Sequence, residues 1–131
     1  MQQRPINPWT WQDAFGFSQA IEVSGQDRLL ICSGQTSVDE NGAPVHEGDM
    51  SAQVGKALDN LEEVLKQAGM TLANAVRINI YTTDVNALLS AVGVWQGRLS
   101  QAGCKPASTL LGVASLAFPA LMVELEAIAV A

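Results

Sequence analysis

Between Ser51 and Ala68, the residues Val54, Leu58, Leu61, Leu65 and Ala68 recur at the spacing of one helical face. Asp49 or Ser51 can cap the start, and Gly69 stands where a left-handed C-terminal residue belongs. Such a helix has one apolar stripe and must bury it against another element. The partner follows at once: Val76, Ile78 and Ile80 alternate with Arg77, Asn79 and Tyr81, the two-residue period of a strand with unlike faces. A second helix begins at Thr83 or Asp84, carries Leu88, Val92, Trp95 and Leu99 on one side, and ends at Gly103. Thr109 to Leu116 and Met122 to Val130 read as two more strands, separated at Phe118-Pro119.

Upstream, Gln19 to Val23 and Arg28 to Cys32 flank Ser24-Gly25-Gln26-Asp27, which predicts a β-hairpin. Pro5 to Gln12, with Trp9 and Trp11, reads as turn-rich, and Asn41-Gly42 as a tight turn before a polar loop around His46. The expected order is β-β-α-β-α-β-β: an α+β domain spanning residues 1–131, with one sheet and both helices on one face. No linker, repeat or like-charge block divides it. The last two strands are so rich in Leu, Val, Ile and Ala that the sheet's second face also needs cover. Self-association is the expected remedy, ahead of coverage by the tryptophan-bearing N-terminal segment.

With 48% hydrophobic and 15% charged residues, the chain has the composition of a folded domain rather than a disordered one. Thirteen acidic residues against seven scattered basic ones, a formal charge of −6, would repel a phosphate backbone, so no nucleic acid is expected as a partner. Leu110 to Val123 is interrupted by Gly112, Ser115 and Pro119 and is shorter than the roughly 20 apolar residues a membrane span requires, so no membrane partner is expected either. The start shows no signal-peptide core, and Cys32 and Cys104 form no disulfide framework; a cytoplasmic location with reduced thiols is the simplest expectation.

Glu124 and Glu126 lie two apart on the final strand and share a face with Met122 and Ile128. Burial there would raise a carboxyl pKa toward the range useful for general acid or base work. Spacing alone favours the plainer alternative, a solvated or interface edge where each carboxylate pairs with Arg or Lys. Ser33, Ser108 and Thr109 fall at strand ends, where small hydroxyls can face a pocket, although such residues more often serve as turn or strand-end hydrogen bonders. His46 has no spaced His, Cys or carboxylate partners, so a metal site and a Ser-His-Asp triad are both disfavoured. Gly34 and Gly112 fit no phosphate-binding spacing. Cys32, inside a predicted strand, reads as an inert buried thiol, and the three tryptophans as packing rather than a base-stacking platform.

Phe17-Ser18-Gln19-Ala20, Ser33-Gly34-Gln35, Ala57-Leu58-Asp59-Asn60-Leu61, Lys105-Pro106-Ala107-Ser108-Thr109 and Glu124-Leu125-Glu126-Ala127-Ile128-Ala129 together resemble the RidA/YjgF family in order and spacing. The resemblance runs from about Phe15 to the C-terminus. It implies a chorismate-mutase-like fold, assembled as a homotrimer with small-molecule clefts between subunits. Active members hydrolyse enamines and imines derived from amino acids, with neither cofactor nor metal; an Arg grips the substrate carboxylate and a Glu handles water. By this resemblance the water-associated Glu falls on Glu124, and the Ser-Gly-Gln hydroxyl on Ser33, beside Gly34.

The Arg is missing. Where the deaminase pattern reads Pro-Ala-Arg-Ser, this chain reads Pro106-Ala107-Ser108-Thr109; the family's Cys corresponds to Leu110, its pocket Tyr to Phe17 and its helix Asn to Val92. These departures imply a more apolar cleft, suited to a neutral or weakly anionic small molecule rather than the usual 2-imino acids. Lys105 replaces the missing charge only if its side chain folds inward. Two functions follow: a divergent imine or enamine hydrolase, or a non-catalytic small-molecule binding or sensing module. The ribonuclease label carried by some relatives is disfavoured by the acidic balance and the lack of a His pair.

Overall fold

The computed structural model describes residues 1–131. Its order is β1 (Gln2–Ile6), β2 (Ala20–Ser24), β3 (Leu29–Ile31), β4 (Gln35–Thr36), α1 (Met50–Gln67), β5 (Ala75–Thr82), α2 (Val85–Ser90), α3 (Val92–Gln101), β6 (Ala107–Gly112) and β7 (Val123–Val130). The main sheet runs β3-β7-β5-β6, with β4 pairing the other half of β7; β5 and β6 are parallel, and β7 is antiparallel to β3, β4 and β5. A parallel pair needs a crossover, which α2 and α3 provide. The α+β expectation holds.

The long helix is where the apolar stripe places it. The Asp49 carboxylate accepts the Ala52 N–H at 3.0 Å, and Gly69 takes φ 72° just past the C-terminus. Val54, Ala57, Leu58, Leu61 and Leu65 are buried against the even face of β5 and the odd face of β7, where Ile78, Ile80, Val123, Leu125 and Ala127 meet them. Gln53, also buried, acts as a staple: its amide donates to the Ala120 and His46 carbonyls and accepts the Met122 N–H. That fixes the loop entering β7, and so the register of Glu124.

Three expectations require correction. The predicted hairpin does not form: β2 pairs with β1 in a separate two-stranded sheet, while β3 pairs with β7. The Ser24–Arg28 connection instead carries the chain between sheets, held where the Asp27 and Arg28 N–H groups donate to the Ala131 carbonyl. The N-terminal segment is accordingly a strand through Ile6, with Pro5 tolerated because its ribbon has only one partner and Arg4 pairing Glu22 across it at 3.0 Å. Second, the helix expected from Asp84 to Gly103 is broken at Ala91, where the Ala91 N–H turns back to the Leu88 carbonyl in a tighter bond. The buried stripe of Leu88, Trp95 and Leu99 survives the break. Third, β6 stops at Gly112 rather than Leu116; a Cβ there would lie 3.0 Å from Val85 Cγ2 at the start of α2.

The second face of the sheet is also not the apolar surface expected from composition. Val123, Leu125, Ala127 and Ala129 of β7 turn to the helices, leaving Arg77, Asn79, Tyr81, Thr109, Glu124, Glu126 and Ile128 on the open side. Apolar groups frame this polar centre: Ile31 is 73% exposed, Leu29 62% and Leu111 49%.

Candidate functional site

A cavity of about 330 Å³ opens between the helices and the β5–β6 edge. Its floor is built by strand alternation: Ile78 and Ile80 on β5 stand beside Ser108 and Leu110 on β6. The break at Ala91 presents Leu89 and Val92 as one wall, with Trp95 and Leu99 continuing it. A 3-10 turn, Trp11–Phe15, supplies the mouth and is ended by Gly16 at φ 73°, which lets Phe17 double back beneath Trp11. Trp11 meets Phe15 and Phe17 edge-on, with ring centroids 6.2 and 5.8 Å away.

No charged side chain lines this cavity. Its polar side chains are already engaged: Ser108 Oγ donates to the Ile78 carbonyl at 2.6 Å, and Gln96 Nε2 donates to the Phe15 carbonyl at 2.9 Å. Lys105 does not fold inward; it lines a different cavity, while its neighbour Pro106 lines this one.

Of the candidate residues, Phe17, Val92, Ser108 and Leu110 therefore come together. Glu124, Ser33, Gly34 and Thr109 do not join them. Glu124 stands opposite Tyr81 and Thr36, on the sheet face away from the cavity. Its carboxylate rests on Gly34, where a Cβ would fall 2.1 Å from Oε1. Ser33 is exposed next door, and Thr109 accepts a hydrogen bond from the Arg77 guanidinium at 2.8 Å. Within one protomer the sheet separates the two groups.

Glu126 occupies the same open face as Glu124 but pairs with neither Arg nor Lys. The Tyr81 hydroxyl and Asn79 Nδ2 both donate to its Oε1, the latter at 3.1 Å. Those hydrogen bonds, Tyr81 first, pull the Glu126 carboxyl below its ordinary value, opposite to the rise expected from burial; the same contact raises the Tyr81 phenol. Arg77, Asn79 and Tyr81 were legible only as the polar alternation of a strand. Their convergence on Glu126 depends on the β5–β7 register.

The sign of this coupling sets a pH window. A depressed carboxyl stabilises the fold above the unfolded carboxyl pKa and loses that contribution as pH falls through the folded value. The difference in unfolding midpoint between wild type and Glu126→Gln should therefore be constant through neutral pH and shrink below about pH 4. Urea titrations at a series of pH values measure it, and a difference that grows on acidification would contradict the assignment. The thiols are inert by comparison: both are free and buried, and burial pushes Cys104 up to about 11 and Cys32 upward. No group of three or more His, Cys, Asp or Glu is placed to hold a metal ion, and no helix is long and apolar enough to cross a membrane.

Residues 11–131 match the family model described as Endoribonuclease L-PSP. A RutC family protein of Aquifex aeolicus is 32% identical over 87% of this chain and 87% of its own length. The 2-iminobutanoate/2-iminopropanoate deaminase of Mus musculus is also 32% identical, over 87% of this chain and 80% of its own. Among solved structures, a Rid family protein of unknown function from Yersinia pestis, YyfB, superposes with a TM-score of 0.89 at 37% identity, covering all of both chains.

Proposed function

The chain belongs to the RidA/YjgF family, also described as Endoribonuclease L-PSP, and from that premise we propose that it binds a small apolar molecule, neutral or weakly anionic, in clefts between the subunits of a homotrimer. One observation carries this reading: the cavity formed by Phe17, Val92, Ser108 and Leu110 contains no charged side chain where the deaminase pattern supplies an Arg. A carboxylate entering it loses its hydration shell and meets aromatic and aliphatic walls. An apolar body bearing one polar group loses less and fills the volume.

The chemistry we assign is hydrolysis of an imine or enamine. Glu124, delivered from a neighbouring protomer, takes a proton from water as the water oxygen bonds to the imine carbon. The C=N electron pair moves to nitrogen, which takes that proton back from the Glu124 carboxyl to give the carbinolamine. The carboxylate then passes the carbinolamine hydroxyl proton to nitrogen as the C–N bond breaks, and ammonia and a carbonyl compound leave. A deaminase activity named for a relative with 32% identity supports the reaction class. The replacement of the Arg by Ser108 argues for a different substrate from that relative's.

Ammonia release from a panel of neutral and anionic imines tests the proposal, with turnover of neutral, apolar members expected. Saturable thermal stabilisation by the corresponding ketones without any turnover would favour the second reading, a binding or sensing module, which the charge-free cavity supports equally. Ser108→Arg provides the companion measurement. The new guanidinium should tighten binding of a carboxylate-bearing ligand roughly 10- to 100-fold, the worth of one charge-assisted bond. Unchanged affinity would mean that Leu110, Phe17 and Val92 exclude such ligands on their own.

A further inference from the structure

We propose that the polar cavity beneath the N-terminal ribbon is a second ligand site, built for a small zwitterion of the α-amino acid type. This cavity, about 350 Å³, lies between β1, the 3-10 turn and the segment joining α3 to β6. Asp13 and Lys105 both line it, and neither takes part in an ion pair; the chain's ion pairs are Arg4 with Glu22, and Arg98 with Asp59 and Glu62. An unpaired carboxylate and an unpaired ammonium at one cavity are complementary to a molecule that carries both charges. Gln3, Asn7 and Ser100 add neutral hydrogen-bonding groups to its walls.

The cavity is separate from the apolar one and shares a wall with it. The wall is a seam in which the Ser18 N–H donates to the Pro106 carbonyl at 3.1 Å and Ser18 Oγ to the Lys105 carbonyl at 2.6 Å. Ser18 and Lys105 face the polar side, and Phe17 and Pro106 face the apolar side. The site therefore recognises a different chemical class from the neutral ligand assigned to the first cavity, and it stands whether or not that assignment does.

Calorimetric titration of the full chain with L-alanine and L-glutamine tests it, with propionate and propylamine as single-charge arms. Saturable binding of the two amino acids is expected, weakened about tenfold or more in both Lys105→Gln and Asp13→Asn, as loss of a charge-assisted bond requires. Both positions are exposed, so the unliganded unfolding midpoint should not move, and Lys105→Arg should restore affinity if Lys105→Gln folds poorly. No measurable binding of either amino acid overturns the proposal. So does binding that survives both substitutions, or propionate binding as tightly as L-alanine, which would make this an anion site instead.

Discussion

Glu124→Gln is expected to reduce the proposed imine hydrolysis by roughly 10²- to 10⁴-fold, the usual contribution of a positioned general base, with little change in KM. Gly34→Ala should reproduce much of that loss without altering a single ionisable group. The carboxylate lies directly on the glycine: an added Cβ would be 2.1 Å from Oε1, 2.6 Å from Cδ and 2.9 Å from Cγ of Glu124. Gly34 does not have a positive φ, so a glycine is needed there for space rather than for backbone conformation. Alanine must push the Glu124 carboxylate off its seat, and a displacement of about 1 Å in a catalytic group can cost about 100-fold. Steady-state kinetics beside circular dichroism separate this from misfolding. Full activity in both variants would remove the carboxylate from the reaction.

The Gly34–Glu124 contact also marks the limit of what the residues reveal when read in order. Local periodicity was sufficient for α1, because an amphipathic stripe with Asp49 before it and Gly69 after it has few other ways to bury Leu58, Leu61 and Leu65. It was sufficient for β5 and β7 as well, and for placing Glu124 and Glu126 on one face. Pairing partners were not legible in the same way. Ser24-Gly25-Gln26-Asp27 has hairpin composition, yet β3 gains more by laddering onto the long central β7 than by returning to β2, whose residues are mostly exposed. Orientation at the start of β6 was equally hidden: adjacent residues Lys105 and Pro106 face different cavities, a consequence of the Ser18 seam formed from a segment 87 residues away. Glu126 shows the same limit in electrostatics, since the donors that lower its pKa come from across the ladder.

Ile31→Lys is expected to convert the proposed trimer to monomers and abolish the proposed turnover while leaving each protomer folded. Phe17, Val92, Ser108 and Leu110 lie on the helix side of the sheet, and Glu124 with Gly34 on the other, so one copy cannot bring its own carboxylate to its own cavity. A second copy can, if its open sheet face packs against the β6 edge at which the cavity opens. Ile31 is 73% exposed in the isolated chain and stands opposite Ile128 on the rim of the polar centre, so its substitution removes nothing from the protomer's core. In a closed ring the same change recurs at every interface. Losing one buried isoleucine at each of three contacts costs roughly 5–9 kcal/mol per trimer, before counting the lysines that would have to be desolvated there. Sedimentation velocity reads the assembly and ammonia release reads the chemistry, and the two should fail together. A monomeric Ile31→Lys protein that still turns over substrate would show that the water-handling group lies within a single protomer, on the cavity side of the sheet.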